Sequence, residues 1–194
     1  MKNKLIPILI GIFVVLLTAF TFQGCKKDEV QPVQLVSGGD VETGSSTPNG
    51  WWSYTGQNNY SVIWTDEQSF SPKKSLKIST LIANTSDFAF WAQTISANIP
   101  IGKDVTLKVK VKSNLTGDGV SIVIRGDDFV YPEGSAEQFI TSQGMFPISG
   151  DFDWKEQSIT LTKVSSTIKS LTVYLIYSQN TTGEVYFDDI SLTY

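Results

Sequence analysis

The tightest constraint on this chain is an alternation. From Val105 to Lys112 apolar and polar residues change places at every step. Successive side chains of an extended backbone point to opposite faces, so Val105, Leu107, Val109 and Val111 share one face and Thr106, Lys108, Lys110 and Lys112 the other. A strand with one apolar face must be covered by a second layer. The same pattern returns at Val120, Ile122 and Ile124 against Ser121, Val123 and Arg125, and at Leu171, Val173 and Leu175 against Thr172, Tyr174 and Ile176. Between Val33 and Tyr194 no stretch carries the spacing of an amphipathic helix. Further strands are predicted at Val33–Val36, Trp51–Tyr54, Tyr60–Trp64, Ser75–Ser79, Phe88–Ile95, Phe139–Ile140 and Ser158–Leu161. Turns are predicted at Gly117-Asp118-Gly119 and at Gly150 to Trp154. Many short strands with polar turns predict an all-β fold built as a two-sheet sandwich. The 194 residues suit one such domain, large enough to bury a core without disulfides.

The last predicted strand, Gly183 to Leu192, contains a conflict. Asp188 and Asp189 are adjacent within it. Aspartate is disfavoured in strands, and burying either charge unpaired is costly. A bound cation would compensate. A bulge that turns both carboxylates to water would do so as well.

The N-terminus reads differently. Met1-Lys2-Asn3-Lys4 is basic, Leu5 to Phe22 is an apolar run, and Gln23-Gly24-Cys25 follows. This is the order of a secretory signal. The run is also just long enough to span a membrane as a helix. Cys25, the chain's one cysteine, stands directly after a small residue, which resembles the lipobox of bacterial lipoproteins, with Phe22 in place of the usual Leu. The resemblance implies cleavage after residue 24 and acylation of Cys25, palmitate included. Lys26-Lys27-Asp28-Glu29 is similar to the signal that sends such lipoproteins to the outer face of the outer membrane. The expected organisation is therefore a signal peptide over 1–24, a lipidated tether over 25–32 and a β-sandwich over 33–194.

The body resembles the jelly-roll carbohydrate-binding modules of the group that pools families four, nine and twenty-two. The resemblance is carried, in order, by Gly38-Gly39-Asp40-Val41-Glu42, Pro48-Asn49-Gly50-Trp51, Ser71-Pro72-Lys73-Lys74-Ser75-Leu76-Lys77, Gln93-Thr94-Ile95, Asp153-Trp154 and Phe187 to Leu192. Val41 stands where the group has an aromatic residue, and Pro72 where it has Gly. The resemblance implies an antiparallel jelly roll and a structural calcium ion held by Glu42, Asp188 and backbone carbonyls near Lys73 to Ser75, with Asp189 in reserve. It also implies a polysaccharide ligand. Sugars need flat rings for their CH faces and hydrogen-bonding groups at the rim. Trp52, Trp91, Tyr131 and Tyr174 are the candidate platforms and Arg125 and Asp127 the candidate rim, while Trp51, Trp64 and Trp154 are assigned to packing.

Other chemistry has little to stand on. A formal net charge of −4 argues against a nucleic-acid partner. With no His in the chain, the remaining acid–base candidates are carboxylates and Lys, such as the run Asp127, Asp128, Glu133 and Glu137. There is no phosphate loop and no serine elbow. Lys108, Lys110 and Lys112 form a basic row that is expected to be solvated; lining a groove, it would favour an anionic glycan. The sequence thus predicts a lipid-anchored, non-catalytic glycan binder. A surface or adhesion domain for a protein partner is the first alternative and a small glycan-active enzyme the second.

Overall fold

β1 (Trp52–Thr55), β2 (Ser61–Thr65), β3 (Ser75–Thr80), β4 (Ala89–Ile95), β5 (Val105–Asp127), β6 (Gln138–Thr141), β7 (Ile148–Leu161), β8 (Ser170–Tyr177) and β9 (Thr182–Thr193) follow one another with no helix among the described residues. The computed structural model describes residues 31–56, 59–83, 86–129 and 136–194. Every strand pairing is antiparallel.

β5 organises the sandwich because it belongs to both layers. Its first half, through Thr116, pairs with β9 on one side and β7 on the other. Its second half, from Val120, pairs with β8 and β6. The first sheet therefore runs β2-β3-β9-β5-β7 and the second β1-β4-β8-β5-β6. The predicted turn at Gly117-Asp118-Gly119 is the corner where one continuous strand changes sheets, a recognised way of turning one. Gly117 and Gly119 hold φ of +98° and +78° there. A Cβ on Gly117 would collide with the carbonyl of Asn180, and one on Gly119 with that of Ile148. The turn expected at Gly150 to Trp154 is likewise strand, inside β7.

The inner faces meet as the alternation requires. Val105, Leu107, Val109 and Val111 are fully buried, and Val120, Ile122, Ile124, Leu171, Val173 and Leu175 join them in one core. Residues 33–36 form no strand of their own. They lie along the end of β9, with Val33 N donating to Tyr194 O and Leu35 N to Leu192 O. Gln93 explains why a polar residue faces the core. Its amide receives Ser37 N at 2.7 Å and donates to Ser37 O at 2.9 Å, fastening that segment to β4.

Candidate functional site

The outward face of the second sheet departs from the usual solvent-side chemistry. β1, β4 and β8 turn Trp52, Tyr54, Phe90 and Tyr174 away from the core, and Phe88 precedes β4 on the same side. Trp52 meets Phe90 edge-on at 5.2 Å, and Phe90 meets Tyr174 edge-on at 5.2 Å. Tyr54 stacks on Phe90 at 5.3 Å and Phe88 on Phe90 at 6.1 Å. Trp52, Phe90 and Tyr174 form with Ala92, Val123 and Ile176 a second apolar cluster, separate from the core. Tyr54, Phe88 and Phe139 leave 44%, 39% and 56% of their surface in solvent. Between Phe88 and Phe139 lies a cavity of about 290 Å³ floored by Val123 and Ile176 and edged by Ser121, Thr141, Gln143, Gln179 and Asp118.

Arg125 and Asp127 share this side of β5. Asp127 is fully buried, and Arg125 Nε donates to its two oxygens at 2.9 and 3.1 Å. Across the β5–β6 ladder Arg125 is opposite Phe139.

Of the expected ring platforms, Trp52 is on this face and half-buried. Tyr174 is on it too, but only 8% exposed, because Trp52 and Phe90 cover it. Trp91 is a correction. It packs in the core at 2% exposure, its indole donating to Lys77 O at 3.3 Å. Asp127 is no open rim group, since burial and the Arg125 pair occupy it. Tyr131 lies outside the described residues, as do Cys25 and Glu133. Tyr54, Phe88, Phe90 and Phe139 were missed. The signal for the first was its spacing of two from Trp52. Phe88-Ala89-Phe90-Trp91 is apolar at every position, so alternation alone does not say which rings face out. Of the packing tryptophans, Trp51 is buried, Trp64 donates to Val41 O at 2.7 Å, and Trp154 is half-buried against Phe70 at 6.0 Å.

The aspartate pair sits at a bulge. β9 places Asp189 and Ile190 opposite one β5 residue between Lys108 and Lys110, and Asp189 takes a φ of +44°. The bulge separates the two carboxylates. Asp188 is turned in and fully buried, while Asp189 stays half-exposed. Asp188 Oδ2 accepts from Phe70 N at 2.7 Å and Ser71 N at 2.8 Å. Its Oδ1 accepts from Asp189 N at 2.7 Å and the Ser71 hydroxyl at 2.8 Å. Glu42 Oε1 accepts from Lys73 N at 2.9 Å and Lys74 N at 3.1 Å. Burial pushes the Asp188 carboxyl above its ordinary range, and the donors from Ser71, Asp189 and Phe70 pull against that.

Calcium needs six to eight oxygens with lone pairs turned toward it. Here Asp188, Glu42, Ser71 Oγ and Asp40 O are near one another, but five backbone N–H groups aim at the two carboxylates. No group of three or more His, Cys, Asp or Glu exists among the described residues. This donor set does not fit the calcium site that the resemblance implies. What compensates the buried carboxylate in the strand is backbone amide.

No family model matches the chain, and no curated protein does. Solved structures do. The enzymatically active domain of tailspike protein 4 of bacteriophage CBA120 superposes with a TM-score of 0.62 at 15% identity, over 82% of this chain and 21% of that one. This chain thus spans about a fifth of the tailspike's length. The Stig cyclase Fisc from Fischerella sp. TAU superposes with a TM-score of 0.62 at 18% identity, over 84% of this chain and 97% of that one. TmCBM61, a carbohydrate-binding module in complex with β-1,4-galactotriose, does so with a TM-score of 0.52 at 14% identity, covering 82% and 97%. The chain shares an antiparallel jelly-roll sandwich with all three, and that sandwich serves binding modules and enzymes alike.

Proposed function

We propose that this chain is a non-catalytic glycan-binding domain that uses the outward face of its second sheet. One observation carries the reading: a set of touching aromatic rings, two of them well exposed and faced across the cavity by exposed Phe139, covers a sheet face that the core does not need. Large exposed apolar patches with polar rims mark interaction sites, and rings edged by hydroxyls and amides suit the two-sided chemistry of a pyranose. The likeness to TmCBM61 supports the reading as a likeness of fold. So does the cavity edge, which among the described residues supplies the single carboxylate Asp118, where glycoside hydrolysis uses two.

A glycan array probed with the protein tests it. Binding to one glycan class is expected, with Tyr54→Ala weakening it several-fold and leaving the melting temperature in place. An array with no hits favours a protein partner for the same face.

The reading extends to location. A signal over 1–24 and acylation at Cys25 would hold the domain on the outer membrane, facing outward. This part rests on the sequence. Cys25→Ser is expected to abolish labelled-palmitate uptake; retained label defeats it.

A further inference from the structure

We propose that the ligand is an uncharged glycan seated over Phe88 and Phe139, an inference that rests on the glycan-binding reading above. Charge placement carries it. Among the described residues, the side chains around the cavity include no Lys or Arg, and the one ionised group is Asp118, a carboxylate. The nearby cation, Arg125, is tied through Nε to both oxygens of buried Asp127, so that pair adds little net charge to the face. The lysine row of β5 is on the other sheet. Lys108 and Lys110 reach Glu156 at 3.5 and 3.3 Å, and Lys112 reaches Asp153 at 3.1 Å. A uronate or sulfate on the aromatic face would give up hydration and meet Asp118 instead of a cation. A neutral sugar loses no such charge hydration. Its CH face can cover the exposed rings, and its hydroxyls meet groups that both donate and accept: Ser121, Thr141, Gln143 and Gln179. At about 290 Å³ the cavity is at the small end of ligand sites, which fits a short stretch of chain lying across an open face.

The test is retention of the protein in gels cast with neutral polysaccharides (galactan, xylan, β-glucan) or acidic ones (polygalacturonate, alginate, chondroitin sulfate), at low and high salt. Retention by a neutral polymer, unchanged by salt, is expected. Phe139→Ala and Phe88→Ala should each weaken it by roughly three- to tenfold, as ring contacts do. Both rings are exposed, so neither change should move the melting temperature. Salt-sensitive retention by acidic polymers alone overturns the inference and leaves glycan binding standing. Retention that both variants keep in full overturns the placement. No retention by any polymer overturns glycan binding and this inference with it.

Discussion

Lys110 and Val123 belong to one strand, β5, and look outward from opposite sides of the sandwich. Around Lys110 the surface is ionic. Lys108 and Lys110 share Glu156, Lys112 takes Asp153, and Lys77 bridges Glu67 and Glu184, with the Tyr186 hydroxyl donating to the same two acids. Burial works against the Lys77 ammonium, but Glu67, Tyr186 and Glu184 outweigh it and raise its pKa. Around Val123 the surface is aromatic, and the ion pair beside it among the described residues joins Arg125 to buried Asp127. Water can solvate the first face without help. The second keeps apolar rings in water, a standing cost that a ligand would relieve. On the proposed reading the difference separates upkeep of the fold from recognition: one face ties strands together, and the other would be covered by the ligand.

Asp188→Ala should have the largest effect. It strands the amides of Phe70, Ser71 and Asp189 beneath the ionic face, and unfolding titration should show a loss of about 3–5 kcal/mol. Chelator should leave the parent's melting curve unchanged, since amides occupy the carboxylates; a drop with chelator would restore the cation. On the other face, Tyr174→Ala should cost about 2–4 kcal/mol by emptying the space beneath Trp52 and Phe90, and should also weaken glycan binding. A loss confined to binding would mean that the ring is less buried than its 8% exposure indicates.

Acid should divide the faces more gently. Lys77 holds Glu67 below its ordinary pKa and Lys110 does the same for Glu156, while the Trp154 amide together with Lys112 lowers Asp153. Their contribution is complete above the unfolded carboxylate values and fades as pH falls through the lower folded ones. Asp188 is shifted the other way, so its protonation eases a burial cost and makes the loss shallower. Melting temperature followed from neutral pH to pH 3 should therefore decline. Glycan affinity should stay flat over the range in which the protein remains folded. The smallest expected effect is that of Phe139→Ala on stability, within about 0.5 kcal/mol, since the ring is mostly exposed.

Strand alternation made most of this fold legible, because burial on one face enforces period two. It failed where local chemistry has two uses. Gly117-Asp118-Gly119 can reverse a chain or bend a strand between sheets, and only the partners β7 and β8 decide which. Trp91 was misplaced because its neighbours are apolar on both faces, and the inward Gln93 that fixes the parity is explained only by its bonds to Ser37. Asp188 and Asp189 were rightly read as a conflict. The resolution needed amides from Phe70 and Ser71, far away in sequence, which no pattern around the pair announces.

The position of β9 has a consequence in time. It is the last strand in chain order, yet it lies in the middle of its sheet, between β3 and β5. While the chain is being made, β3 and β5 have no neighbour to pair with on that side until β9 emerges. The first sheet therefore closes only once β9 is available, whereas every strand of the second sheet precedes it and can pair earlier.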